Sequence, residues 1–491
     1  MVGLLLLTAA GFLIHGYHPY SEDAETYLPG IEKILNPHLF PIGNEYFELH
    51  AHLTWFPQLI AYSVRLSHLQ LSAVLLIWQI ATFFLFLLAC WHLMRKLFPT
   101  VAARWAGLAL ITALFTMPVA GTALYLMDPF LNPRNVIAFA EIFCLVKVLE
   151  RKYIQALVLI AFAISIHPLM SMFTASFCAL ILCIDRWPWK GASRRLRRAE
   201  ETVSVAGSVA FFSPVEKLFD APTAAYDKVA GNHRYQFLAR WTWYEMLGAL
   251  APILIFWWFR SIAKARRWLY LELLCTGMMI YGSIYFAAGL VVSIPRRLEM
   301  LSLLQPMRSL HLLYVLMLLI AGGLLGEFVL RKKFWRWAVL MLPIAIGMWF
   351  AQRELYPASA HIEWPWAEPR NPWVKAFEWV KKNTPEQAIF ALDPYYMNAD
   401  GEDANGFRAV AERSQLADGA KDSGVVEMFP QIGDSWSKQV QAQTGIYNFQ
   451  RKDFVPLQRV YGVSWVVLRQ PGHADLECPY QNAVVKVCRL P

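Results

Sequence analysis

Long apolar stretches separated by short polar or charged connections dominate the chain. A membrane-crossing helix needs roughly 20 apolar residues at 1.5 Å rise each. Residues 71–94, 104–126, 134–149, 153–166 with its continuation 168–184, 241–259, 268–294, 300–325 and 335–352 meet that pattern. Residues 2–14 and 202–213 are weaker candidates, the first short, the second short and rich in small residues. The 2–14 segment lacks the basic start of a signal peptide. It reads as a true span, and its shortness leaves open that the chain begins upstream.

Basic residues orient these spans. Clusters fall at Arg95, Lys96 and Arg104, at Arg151 and Lys152, at Arg194, Arg195, Arg197 and Arg198, at Arg260, Lys264, Arg266 and Arg267, and at Arg331, Lys332, Lys333 and Arg336. Placing all five in the cytoplasm requires 202–213 to cross. The expected fold is then an α-helical polytopic membrane protein of about eleven spans, with its N-terminus inside and its C-terminus outside. A re-entrant 202–213 would put the later clusters on the wrong side. Composition agrees: 57% of residues are hydrophobic and 16% charged, against about 25% charged in a typical soluble domain. The net charge of +9 sits in these interhelical clusters, so nucleic acid is not an expected partner; membrane lipids are. Seven Cys are too few for a disulfide-built scaffold.

This topology divides the chain into a transmembrane domain, 1–352, with a long outer loop at 15–70, and a soluble extracytoplasmic domain, 353–491. Further outer loops fall at 127–133 and 214–240. The tail reads as α/β: a helix at 372–385 with Val374, Phe377 and Val380 on one face, a strand at 388–394, a helix at 454–462 leading into a strand at 463–469, and an alternating strand at 483–490. Cys478 and Cys488 flank the last turn on the oxidising side, where a disulfide is plausible. No GxGxxG or GxxxxGK[ST] phosphate loop, no Gly-x-Ser-x-Gly elbow and no repeat of 20–50 residues stands out.

Chemistry-bearing residues concentrate in the outer loops. In SEDAETY (21–27), Ser21 is expected to cap a helix starting at Glu22, with Asp23 and Glu25 in its first turn. Leu28, Ile31 and Leu35 would lay that helix on the membrane surface, and Asn36-Pro37 would end it. An acid at the lipid–water boundary can serve a lipid-linked substrate, although acids at helix starts are usually caps. In MDPFLNPRN (127–135), Asp128 and Arg134 are ionisable groups at the membrane rim, serving either a site or a loop-stapling ion pair. His167, in SIHPLM (165–170), could hold a phosphate or a sugar hydroxyl, or simply pack. Gln305 and Arg308 are expected on one helical face, with Arg308 suited to bidentate phosphate binding; Arg296 and Arg297 lie outside against the usual charge rule. Trp241, Trp243 and Tyr244 read as an aromatic belt in which Glu245 is the unusual member. His15, His18, His50 and His52 lack tight zinc spacing. A divalent cation (Mg or Mn) between Asp23 and Asp128 is conceivable.

The layout resembles the C-type (GT-C) glycosyltransferases. A short first span precedes a long outer loop with an early acidic motif, SEDAETY; a second acid, Asp128, follows in the next outer loop; and an outward α/β domain opens with WVKKNTPEQAIFALDP (379–394) and includes RVYGVSWVVL (459–468). The resemblance implies a glycosyltransferase that takes a hexose or pentose from a polyprenyl-(pyro)phosphate donor, inverting, at the outer face of the cytoplasmic (inner) membrane. It implies Asp23 as the catalytic carboxylate, acting as general base, with Glu22 as the fallback. Arg134, His167 and Arg308 are the candidates for the donor phosphate. The acceptor would be a lipid, glycan or protein; no WWDYG-like motif is present, WSKQV (436–440) being the nearest Trp-containing stretch, which argues against transfer to asparagine. The rival readings are a non-catalytic transporter or flippase of a lipid-linked sugar, and a scaffold subunit of an envelope-assembly complex. The absence of a detectable inverted repeat and the large one-sided tail count against the transporter.

Overall fold

The computed structural model describes residues 1–186, 229, 233–293, 301–472 and 475–491. The 202–213 stretch, the Arg194–Arg198 cluster, Arg296 and Arg297 lie outside the described residues, as does most of 214–240.

Apolar helices form where the hydrophobic runs are. Among the described residues six are long and apolar enough to cross a membrane: Leu71–Leu97, Pro168–Arg186, Trp243–Arg266, Leu269–Ser293, Leu301–Leu330 and Phe334–Leu355. Val2–His15, Val101–Ala113 and Tyr153–Ile166 are shorter apolar helices, and Pro133–Leu149 packs between its neighbours. Small residues set the closest crossing. A Cβ on Gly322 would stand 2.6 Å from the Ala106 carbonyl oxygen and 2.7 Å from the Gly107 Cα, so only glycine lets these two backbones meet.

The run at 104–126 is not one helix. Its helix stops at Ala113, and the chain then folds back on itself through a bridge between Pro118 and Tyr125. Proline has no N–H and disfavours helix in the residue before it. The backbone groups are satisfied locally instead: Met127 N donates to Phe115 O (2.8 Å) and Val119 N to Leu124 O (2.8 Å).

The tail is a five-stranded sheet of order β2-β1-β3-β5-β4, made of β1 (Ile389–Ala391), β2 (Ser414–Gln415), β3 (Trp465–Arg469), β4 (Glu477–Gln481) and β5 (Val485–Arg489). β1 runs parallel to β2 and β3, while β5 is antiparallel to both its neighbours. Alternation along the strands feeds two cores. Phe390, Val467, Val485 and Val487 meet Trp373, Val374, Phe377 and Val380 of the Pro372–Asn383 helix. Ala391, Val466, Leu468 and Cys488 meet Phe454 and Leu457. Asn371 caps the first of these helices through Trp373 N (2.8 Å), and Thr384 ends it. Cys478 and Cys488 are joined by a disulfide across β4 and β5. For a separation of 10 residues, chain entropy gives the link about 2–3 kcal/mol. Cys478→Ser is expected to lower the tail's melting temperature in non-reducing buffer and to remove its dependence on reductant. An unchanged melt would show that the strands hold without it.

The acidic helix departs from the sequence expectation in two ways. It runs Ala24–Leu35, beginning after Glu22 and Asp23. Ser21 does not cap it: its hydroxyl donates to His18 O (3.0 Å), and its backbone bridges to Asn405 of the tail. That pairing forces Glu22 into the left-handed region (φ 57°), where Glu22 N donates to Ala404 O (2.7 Å). The helix does not lie free on a membrane surface either. It packs against the Phe56–Ser67 helix and against Phe407–Ala411 of the tail, so both Leu28 and Glu25 are buried.

Candidate functional site

The loop after the helix-breaking prolines is built by amide side chains. Asn132 Oδ1 accepts from Asn135 N (2.9 Å), capping Pro133–Leu149. Asn135 Nδ2 donates to the carbonyls of Asp128 and Phe130 (both 3.0 Å), and Gln79 Nε2 donates to Asp128 O (2.8 Å). Asp128 is thereby fixed over the helix N-terminus, where the dipole favours an anion. Asn132 Nδ2 donates to its Oδ2 (2.7 Å).

Arg134 joins the two outer loops. Its Nη2 lies 3.1 Å from Asp128 Oδ2 and 3.4 Å from Asp23 Oδ2. The ion pair foreseen as a loop staple therefore also reaches the acidic motif. A divalent cation shared by Asp23 and Asp128 does not fit this donor set, because a guanidinium already occupies the space between their oxygens. Among the described residues no group of three or more His, Cys, Asp or Glu side chains converges as metal ligands.

On its other side Asp23 is held by Lys421, which sequence reasoning missed. Lys421 Nζ donates to Asp23 Oδ1 (3.2 Å) and also to Glu22 Oε2. It stands just before a short tail helix, Asp422–Met428. Burial would raise the Asp23 carboxyl, but the Lys421, Arg134 and Arg308 charges outweigh it and hold the group well below the usual range. Glu22 and Asp23 thus share one ammonium. Lys421 itself is lowered by burial and raised more strongly by Glu22 and Asp23, so it stays charged.

Gln305 and Arg308 do not share a face of one α-helix. Pro306 makes Gln305 the turn residue (φ 45°) before a 3-10 turn, Pro306–Ser309, and the α-helix begins only at Leu310. Arg308 Cζ sits 5.1 Å from the centre of the Tyr235 ring. Among the described residues its buried Nε, like Gln305 Oε1, has no hydrogen-bond partner. His167 lies at the turn between two apolar helices, with Nδ1 accepting weakly from Met170 N (3.4 Å). Glu245 turns out to be a helix cap: with Thr242 it forms a capping box at Trp243–Arg266, and it binds Arg234 Nη2 (2.6 Å). Trp243 and Tyr244 are exposed as belt residues should be, whereas Trp241 is buried against Gly121.

The eight residues singled out from sequence nevertheless line a single cavity. Glu22, Asp23, Asp128, Arg134, His167, Glu245, Gln305 and Arg308 all reach the wall of a space of about 1340 Å³. Lys421, Ala420 and Met428 close it from the tail, and Leu53, Met117, Val119 and Leu304 give it an apolar part. His50, beside Tyr27 with ring centres 5.1 Å apart, also lines it, and burial pushes this imidazole down to about 4. His15 is structural: it bonds Thr116 Oγ1 and Thr112 O (both 2.7 Å). The space can hold a ligand with an anionic head near Arg308 and Lys421, an apolar body along the leucines and methionines, and a hydroxyl at Asp23. No protein-family model matches this chain, and no curated protein matches it.

Proposed function

We propose that the chain is an inverting glycosyltransferase that moves a hexose or pentose from a polyprenyl-(pyro)phosphate donor to a lipid, glycan or protein acceptor. The observation that carries this reading is the convergence of Asp23, Arg134, Arg308 and Lys421 on one cavity with an apolar flank. Anionic phosphate and polyprenyl chain need these two surfaces side by side. The reading brings with it about eleven spans, a cytoplasmic (inner) membrane location and an extracytoplasmic tail.

In this mechanism the acceptor oxygen bonds to the anomeric carbon as the sugar–phosphate C–O bond breaks. The phosphate leaves with the electron pair, and the hydroxyl proton passes to Asp23. An ion-paired carboxylate is a weak base. A donor phosphate that draws on Arg308 and Lys421 loosens the hold on Asp23 and restores its basicity. Arg134 keeps the two loops in register and faces the developing phosphate charge.

The test is transfer by purified protein from a panel of radiolabelled polyprenyl-phosphate and polyprenyl-pyrophosphate sugars to a membrane-lipid extract. Wild type is expected to form labelled product and Asp23→Asn to lose it on the order of 10²-fold or more, with its melt unchanged. Equal transfer by the variant would move the base to another group, Asp128 first. No transfer with any donor or acceptor fraction would return the protein to the flippase or scaffold readings.

A further inference from the structure

Just before the acidic pair, the chain leaves the first apolar helix through Gly16 and pairs with the segment that links the last apolar helix to the tail. Tyr17 N donates to His361 O (2.9 Å), and Glu363 N to Tyr17 O (3.0 Å). An imidazole stands on each side of this junction. His18 is 1% exposed; its Nδ1 lies 3.1 Å from Glu363 Oε1, and its ring stacks on Tyr356 at 3.8 Å. His361 Nε2 lies 3.0 Å from Leu13 O.

Both partners are pure acceptors, so each must receive the ring N–H. That fixes the tautomers and leaves His18 Nε2 and His361 Nδ1 as lone-pair nitrogens in the neutral rings. Both nitrogens are buried, and among the described residues neither has a hydrogen-bond partner. Both lie close to Gly16: a Cβ there would stand 3.1 Å from His18 Nε2, 3.2 Å from His361 Nδ1 and 2.3 Å from His361 O.

We propose that His18 Nε2 and His361 Nδ1 bind a first-row divalent cation of the zinc type at this junction, outside the glycosyl-transfer cavity. Imidazole nitrogen suits such ions. A ligating histidine characteristically gives its other N–H to a carboxylate or a backbone carbonyl, and here one histidine has each. Two buried lone pairs left without a partner cost free energy, and a cation satisfies both at once. Glycine at 16 keeps a side chain out of the space beside them, which the His361 carbonyl oxygen also borders. The remaining coordination positions fall to water or a small anion. The ion would tie the first apolar helix to the tail's linker, beside the loop that carries Asp128, through His18 N donating to Pro129 O (2.9 Å).

The experiment is zinc titration of the full chain in detergent, after chelation, read by calorimetry and by X-ray absorption. One equivalent is expected, with imidazole nitrogens at about 2.0–2.1 Å and a higher melting temperature of the loaded protein. His361→Gln should remove that equivalent and the thermal shift together. Glu363→Gln, which keeps both imidazoles, should weaken binding about 10–100-fold. Equal zinc uptake by wild type and His361→Gln would overturn the proposal, as would no uptake by folded wild type, the outcome if a water donates to both nitrogens. Glycosyl transfer does not enter the readout, so this site and the transferase reading stand or fall separately.

Discussion

Arg408→Met is expected to cost the junction between the tail and the first outer loop about 3–5 kcal/mol, the usual penalty for stranding a buried charge partner. Arg408 is 1% exposed. Its guanidinium holds Asp422 through two bonds (2.9 and 2.7 Å), reaches Glu25 Oε1 (3.2 Å) and lies 3.6 Å from Asp418 Oδ2. Glu25 comes from the acidic helix and the other two acids from the tail. Without the guanidinium three buried acidic side chains face one another. Lys421, between Asp418 and Asp422, then loses the frame that aims it at Asp23. The variant should show a lower melting temperature and early proteolytic cleavage between outer loop and tail. Adding Glu25→Gln should recover part of the loss. A melt indistinguishable from wild type would mean that the cluster does not hold the tail.

The same cluster gives the sign of a pH effect. Burial, with Asp418 and Asp422 nearby and Arg408 opposing, lifts Glu25 to about 8; burial and Asp422 lift Asp418 to about 7. The unfolded chain titrates these acids near 4. The folded state thus keeps protons that the unfolded state has already released. The stabilisation is complete below that value and falls as the pH rises through 7 to 8. In Arg408→Met, which lacks the opposing charge, the decline with pH should be steeper.

Elements written in local periodicity were legible in the sequence. The apolar helices and the tail's Pro372–Asn383, β1, β3 and β5 follow from apolar spacing and from Asn371 and Thr384 at the helix ends. So did the residues around the cavity, because carboxylates and guanidinium groups are expensive at a membrane rim. What was not legible depends on partners far away in the chain. Ser21 looks like a cap until Asn405 pairs with it, and Glu22 is then displaced from the helix. Leu28 and Ile31 look lipid-facing, yet the buried Glu25, which takes an N–H from Ala409 (3.2 Å), shows the helix wedged against the tail. Lys421 lies in LADGAKDSG (416–424), where nothing local separates it from a solvated loop lysine. Only the fold carries it to Asp23. The failure at 104–126 is different: its apolar residues are buried as a folded-back segment, and composition alone does not separate that from a span.

Lys421→Met is expected to lower transfer at neutral pH on the order of 10²-fold, the scale of losing one preorganised charge at a reacting centre. It should also change the pH profile in a direction that a merely structural lysine would not produce. In the wild type Asp23 stays ionised well into acid, because Lys421, Arg134 and Arg308 outweigh its burial. On the transferase reading proposed above, the acid limb of kcat/KM is therefore expected below the ordinary carboxylate range. With Lys421 gone, burial acts against a weaker field and the Asp23 pKa rises. A base works only when ionised, so the acid limb must move to higher pH. Lys421→Arg keeps the charge and should leave that limb near its wild-type position, even if the longer side chain binds donor less well. Asp418 Oδ1 accepts from the backbone N of residue 421 (2.6 Å), so the turn survives either change and a melt can verify it. A Lys421→Met protein that transfers sugar at the wild-type rate with an unmoved limb would remove the tail from the reaction. Its role would then reduce to holding the outer loop, and catalysis would rest on Asp23, Arg134 and Arg308 alone.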